Sequence, residues 1–176
     1  LKDKLNDKNA NVRAQAEKWD LALRLTRVFG LRPIELQYLQ IRKNGKFTLW
    51  CTYSKRTSTG GTEARRLFPI HKNWCEEWKL IEKVRSGAPL PSMKSGGGQA
   101  FGTYFRFNET WKKLQKKGIS AYSLRHAYAV AGHEKYNLNA SILAPAMGHS
   151  VEVHNRSYSR WYGEKYLEDI FENATQ

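Results

Sequence analysis

Apolar residues take up a helical spacing early in the chain. Val12, Ala16, Trp19 and Leu23 share one face, Asn11 stands where a cap belongs, and Gly30 where the helix would stop, so a helix is expected from about residue 11 to 29. Pro33 drives Arg32 out of the helical region, which puts Leu31 and Arg32 on a bend and Arg32 at the entrance of a second, short helix running through Leu39. Lys46 to Tyr53, rich in aromatic and β-branched residues, and Arg65 to Ile70 read as two strands of a hairpin with a long polar loop, Ser54 to Ala64, between them. Trp74, Trp78 and Ile81 return to helical spacing near 72–84, and the Pro- and Gly-rich stretch Ser86 to Gly98 breaks it as a loop or hinge. Phe101, Tyr104, Phe105, Trp111 and Leu114 predict a helix towards Lys117, stopped by Gly118. Helices are also expected over Tyr122–Tyr136, Asn139–Met147 and Gly163–Ala174, the last with Tyr166, Leu167, Ile170 and Phe171 inward. The pattern is that of an α+β fold, mostly helical with a small antiparallel β-sheet.

Composition narrows this further. The chain has 176 residues, 40% of them apolar by count, enough for one self-sufficient core. Its 30 Lys and Arg against 16 Asp and Glu leave a formal charge of +14, spread along the sequence rather than gathered in a tail. A folded domain with a positive face, and a polyanion such as nucleic acid as partner, is the reading this favours over a merely solvated basic surface. Two cysteines at no repeated spacing exclude a disulfide framework and a four-cysteine zinc site; Cys51, His71 and Cys75 are read as packing residues, not metal ligands. With no apolar run of membrane length and no signal-peptide pattern, a cytoplasmic, DNA-associated location in a prokaryote is expected. The first residue is Leu rather than Met, as expected of a fragment excised from a longer protein.

Four stretches carry chemistry when taken together: Gly30-Leu31-Arg32-Pro33-Ile34-Glu35-Leu36, Ser123-Leu124-Arg125-His126, Met147-Gly148-His149-Ser150, and Tyr158 nine residues beyond His149. Their order and spacing resemble the tyrosine recombinase (phage integrase) family, whose catalytic domains carry a G-L-R-x-x-E-L box, an H-x-L-R-H box, an L-G-H box and a nucleophilic tyrosine. The likeness runs over nearly the whole chain, roughly residues 10 to 175. It implies the fold of the family's DNA breaking-rejoining catalytic core and a site-specific recombinase, integrase or excisase in type.

On that resemblance Arg32 and Arg125 clamp the scissile phosphate, a task suited to guanidinium groups, which are permanently charged and match two oxygens at once. The residues alone also allow Arg32 to be a helix-entry arginine paired with Glu35, and Arg125 a solvated helical charge. Glu35 is implied as the support that orients Arg32. Lys55, at the end of the first hairpin strand, stands where the family keeps its catalytic lysine; a solvated loop lysine is the alternative. His149 corresponds to a residue that hydrogen-bonds the phosphate from the side, though a lone histidine after glycine is also a common cap or core residue. Tyr158 is the implied nucleophile, forming a 3′-phosphotyrosine link that needs no cofactor and no metal. Tyr158, Tyr162 and Tyr166 would equally form an aromatic stripe on a continuous helix.

One position departs from the pattern. Tyr122 stands three residues before Arg125, where the family usually has histidine, and a phenol with an ordinary pKa of about 10 is a poor substitute for imidazole in proton transfer. The replacement resembles the excisases of cyanobacterial elements. His126 matches the trailing histidine of the second box as a supporting residue; His133 matches nothing.

Double-stranded DNA is the expected partner. Arg56, Arg65 and Arg66, and the helix face Lys112, Lys113, Lys116 and Lys117, are candidate phosphate contacts, with a solvated face the alternative. The resemblance further implies a homotetramer on DNA joined through the last helix, and a separate amino-terminal domain to which nothing here corresponds. A type IB topoisomerase-like enzyme and a DNA-binding module that has lost catalysis are the rival readings.

Overall fold

The structure, a computed structural model, describes residues 1–54, 56–57, 60–93, 97–158 and 172. A short helix α1 (Lys2–Leu5) precedes the long helix α2 (Ala10–Phe29). The cap lies two residues before the expected one: the Asn9 side chain accepts from the Asn11 N–H, which places the donor-hungry first turn at Ala10. Gly30 ends α2 in the left-handed conformation at φ 62°, and a Cβ there would meet the Tyr128 ring at 2.7 Å, so both backbone and packing require glycine.

The predicted short second helix is a 3-10 turn, Pro33–Tyr38, with Pro33 in its first position and Arg32 extended just before it. Leu39 starts a strand instead of ending a helix: β1 (Leu39–Asn44) pairs antiparallel with β2 (Lys46–Cys51) about Gly45, at φ 68°. Asn-Gly between alternating strands is a strong hairpin signal, and it fixes this register. The expected strand from Arg65 narrows to β5 (Arg65–Arg66), because only its first residues meet β2. The three-stranded sheet has the order β1-β2-β5, and a two-residue ladder, β3 (Arg56–Thr57) with β4 (Gly60–Gly61), lies in the long loop.

The expected helix over 72–84 is two, α3 (Lys72–Glu77) and α4 (Leu80–Arg85), broken where Lys79 takes φ 51°. The next is also two, α5 (Gly97–Phe105) and α6 (Glu109–Lys116), because Asn108 caps α6 by accepting from the Trp111 N–H. Then follow α7 (Ala121–Tyr136), α8 (Ala140–Met147) and α9 (Val151–Tyr158). The expected helix over 163–174 falls outside the described residues.

Two apolar clusters form the interior. In the larger, Trp19 on α2 stacks on Tyr104 at 4.6 Å between ring centroids and meets Phe101 edge-on at 5.1 Å, and Leu25, Phe29, Leu49, Leu80 and Met93 close around them. The smaller joins α7, α8 and α9 through Tyr128, Ala129, Leu143, Met147 and Tyr158. The bend after Gly30 follows α2, which packs on α7, and buries Leu31 and Leu36 in the larger cluster. Among the described residues no helix is long and apolar enough to cross a membrane.

Candidate active site

The site is organised by a carboxylate without solvent exposure. Glu35, third residue of the 3-10 turn, folds back so that Oε2 accepts the Arg32 backbone N–H at 2.8 Å while Oε1 accepts Arg32 Nη1 at 2.7 Å. Its other neighbours come from far along the chain. Arg65 Nη2 donates to Oε2 at 2.8 Å, and Arg125 Nη1 stands 3.8 Å from the same oxygen. Burial alone would raise the Glu35 pKa, but Arg65, Arg125 and Arg32 outweigh it and hold the carboxyl below its ordinary range. Three guanidinium groups around one carboxylate leave two positive charges uncompensated, which is an anion site.

The C-terminus of α8 supplies the other half of the cradle. Gly148, at φ 71°, turns the chain so that its N–H reaches the Pro145 carbonyl and the His149 N–H reaches the Ala144 carbonyl, a Schellman closure. Three successive carbonyls remain, and each takes one arginine: Ala146 accepts from Arg65 Nε at 3.1 Å, Met147 from Arg125 Nη2 at 2.7 Å, and Gly148 from Arg32 Nη2 at 3.2 Å. The negative end of the helix dipole suits these cations. A Cβ at Gly148 would lie 2.6 Å from Arg65 Nη1, so glycine is what lets that guanidinium cross the turn.

Local structure explains how each arginine arrives. Arg125 occupies the buried stripe of α7, with Ala121, Tyr128, Ala129 and Gly132, and is 2% exposed, which sets aside the solvated-charge alternative. It also donates to the Gly30 carbonyl, and its pKa is lowered to about 10 by burial first and by Arg32 second, leaving it charged at neutral pH. Arg65 pairs with Cys51 across β5 and β2, so both point to the buried side of the sheet, whereas Arg66 opposes Trp50 and lies over Phe68 on the other side. The sequence makes Arg65 and Arg66 a pair of expected phosphate contacts; strand alternation separates these two neighbours.

Tyr158 ends α9 at 3% exposure, packed against the rings of His154 at 4.6 Å and His126 at 5.3 Å between centroids. Burial raises the phenol's pKa and the positive charge of Arg125 opposes it, with a net upward shift: the resting hydroxyl is neutral. Tyr122 is 43% exposed at the rim, with its ring 6.4 Å from that of His126. Both nitrogens of His149 are engaged: Nδ1 lies 3.4 Å from Arg125 Nη2 and Nε2 lies 2.9 Å from His154 Nδ1. A phosphate contact from this ring would displace one of them. His154 Nε2 continues to His133 Nε2 at 2.8 Å.

Arg32, Glu35, Arg125, His126, His149 and Tyr158 are thus brought together, with Tyr122 beside them. Lys112, Lys113 and Lys116 on α6 and Lys117 at its C-cap are all exposed, and Lys112 pairs with Glu109 at 2.7 Å. Lys55 lies outside the described residues, as do Tyr162 and Tyr166, and of Arg56 only the backbone is described, in β3. His154 and His133 were not legible as site residues, since their positions match no part of the motif pattern; only α9 packing on α7 reveals them.

No family model matches the chain. It is similar to Excisase A of Nostoc sp. (strain PCC 7120 / SAG 25.82 / UTEX 2576), with 26% identity over 167 residues, 89% of this chain and 34% of that protein. Excisase C of the same organism is 29% identical over 175 residues, 90% of this chain and 33% of that protein. The chain therefore spans about a third of the length of the curated relatives it matches. Among solved structures it is similar to the XerH site-specific recombinase bound to palindromic difH substrate in a post-cleavage complex, with a TM-score of 0.50 and 14% identity over 97% of this chain and 48% of that one.

The chain shares its fold with that site-specific recombinase. In this chain, the cluster of Arg32, Arg65 and Arg125 and the phenol of Tyr158 face one region, and the arrangement can bind an anion against three guanidinium groups with a hydroxyl at its edge.

Proposed function

We propose that this chain is the catalytic part of a site-specific DNA recombinase that cleaves and rejoins double-stranded DNA through a 3′-phosphotyrosine intermediate. The observation that carries the reading is that Arg32 and Arg125, distant in sequence, meet at one buried carboxylate while the positive charge of both acts on the Tyr158 phenol. The names of the relatives support excision as the biological direction, and the DNA-bound recombinase of the same fold supports a duplex partner.

In this mechanism the non-bridging oxygens of the scissile phosphate sit on N–H groups that Glu35 and the α8 carbonyls leave unused, since each guanidinium has five. Charge gathering on those oxygens is met by preorganised cations in a site shielded from water, the condition under which such donors are worth most. The Tyr158 oxygen attacks phosphorus, and its O–P bond forms as its O–H bond and the bond to the 5′ oxygen break; the departing oxygen takes a proton, in the family's manner from Lys55, and the proton released by the phenol makes up the one that lysine gives. The phosphotyrosine ester stores the energy of the broken bond, so a second 5′ hydroxyl reverses the step without a cofactor. Lys112, Lys113, Lys116, Lys117 and Arg66 hold flanking phosphates, and four copies assemble on paired sites.

A suicide substrate, nicked so that the cleaved strand is lost, tests this. Wild type is expected to form a covalent protein–DNA adduct and Tyr158→Phe to form none while still binding DNA. An adduct that survives in Tyr158→Phe moves the nucleophile elsewhere. The 3% exposure of Tyr158 favours one second reading, a DNA-binding module without catalysis, and absence of any wild-type adduct would establish it. Relaxation of supercoiled DNA without strand exchange would instead mark a topoisomerase.

A further inference from the structure

We propose that His154, backed by His133, is a positioning residue that locks His149 as the tautomer protonated on Nε2, so that His149 turns a lone pair, and not a proton, towards Arg125. The role in catalysis rests on the recombinase reading above; the tautomer assignment rests on the hydrogen bonds alone.

The relay has one end of fixed character. A guanidinium can only donate, so Arg125 Nη2, 3.4 Å from His149 Nδ1, requires a bare nitrogen there. Beyond it lie two ring-to-ring contacts, His149 Nε2 to His154 Nδ1 at 2.9 Å and His154 Nε2 to His133 Nε2 at 2.8 Å. A neutral imidazole carries one N–H and one lone pair, so the direction set at Arg125 passes down the relay: Arg125 donates to His149, His149 Nε2–H to His154, and His154 Nε2–H to His133, which leaves the His133 proton on Nδ1.

A proton added to any ring turns an acceptor into a donor and sets two N–H groups against each other. The surroundings act in the same sense. The titratable groups acting on His149 are Arg125, His154, Arg32 and Arg65, and those acting on His154 are His133 and Arg125; the Tyr158 ring packs against both imidazoles. Burial above all, and then these neighbours, lower His149 to about 3 and His154 to about 4. Neutral His149 then serves Arg125 as an acceptor beside the Met147 and Gly30 carbonyls, holding the plane of the guanidinium while its remaining N–H groups face an incoming phosphate.

Long-range 15N–1H correlation of the imidazole nitrogens in the complete chain tests the lock. The expected spectrum at pH 7 shows His149 and His154 protonated on Nε2 and His133 on Nδ1, all neutral, and unchanged at pH 5. A His149 protonated on Nδ1, or charged at pH 7, overturns the proposal. His154→Phe keeps a ring against Tyr158 but removes both hydrogen bonds, and should release His149 into mixed tautomers and slow adduct formation at least tenfold. His154→Asn places an acceptor where Nδ1 was and should restore the His149 tautomer and most of the rate. A Phe variant with the wild-type His149 signal sinks the idea; should that variant not fold, the wild-type and Asn spectra decide it. If wild type forms no adduct, the recombinase reading fails while the spectra still judge the relay.

Discussion

Glu35→Gln removes one negative charge from among three positive ones while leaving the side-chain volume nearly unchanged. At an effective dielectric of about 20, a unit pair about 4 Å apart attracts by about 4 kcal/mol. Glu35 makes two close pairs, at 2.7 and 2.8 Å, and one at 3.8 Å, so the gross loss is several times that of a surface pair. The neutral amide also spares the cost of burying a carboxylate, but it leaves Arg32, Arg65 and Arg125 repelling each other without a counterion. Breaking a buried pair by removing one partner costs about 3 to 5 kcal/mol, against a typical domain stability of about 5 to 15 kcal/mol. With a urea m-value of about 2 kcal/mol/M, the unfolding midpoint should fall by about 2 M, read by the fluorescence of the six tryptophans. Because the vacated charge lies in an anion site, added sulfate should raise the midpoint of the variant more than that of wild type. A midpoint lowered by less than about 0.3 M, or equal sulfate effects on both proteins, would show that the carboxylate does not hold the cluster together.

Four further outcomes follow from the same geometry. Arg32→Ala and Arg125→Ala should each slow adduct formation by about a hundredfold to a thousandfold, by analogy with lost oxyanion donors, measured by quenched cleavage of the suicide substrate; a loss under about tenfold removes that residue from the clamp. Replacing Lys112, Lys113, Lys116 and Lys117 together by Gln should weaken binding to all sequences alike and reduce the salt slope by about 3 to 4, in fluorescence anisotropy titrations at several salt concentrations; unchanged binding would mean that α6 faces away from DNA. His149 and His154 have pKa values lowered to about 3 and about 4, so the unfolded chain takes up protons that the folded one refuses: stability is full above the ordinary value of about 6.5 and falls with pH below it, by up to about 1.4 kcal/mol per pH unit for each ring. Urea midpoints between pH 7 and 5 check this, and His154→Asn should flatten that window; Glu35, whose pKa is held down, loses its contribution only below about pH 4.5. Tyr122→His should speed cleavage if the phenol limits proton transfer, and a variant that cleaves no faster counts against that explanation.

Periodicity, caps and breakers are local, and what depends on them was legible. The stripe through Val12, Trp19 and Leu23, the stop at Gly30, the bend before Pro33 and the helices over 122–136 and 139–147 follow from side chains within a few residues of one another. Asn44-Gly45 is a local signal too, and it sets the β1–β2 hairpin in place of the expected helix end at Leu39. The order and spacing of the motifs, through the family resemblance they carry, likewise single out Arg32, Glu35, Arg125, His149 and Tyr158.

What the sequence could not determine is where charges stop being surface charges. Arg65 and Arg66 are alike as neighbours in a polar stretch; pairing with Cys51 turns the first inward to Glu35, and pairing with Trp50 turns the second outward. His133, His149 and His154 are unrelated along the chain and form one relay only because α9 packs on α7. An acid surrounded by three arginines, and an imidazole forced neutral by its neighbours, are properties of long-range packing, since the energy of each charge is set by what surrounds it in space and not by what precedes it in sequence.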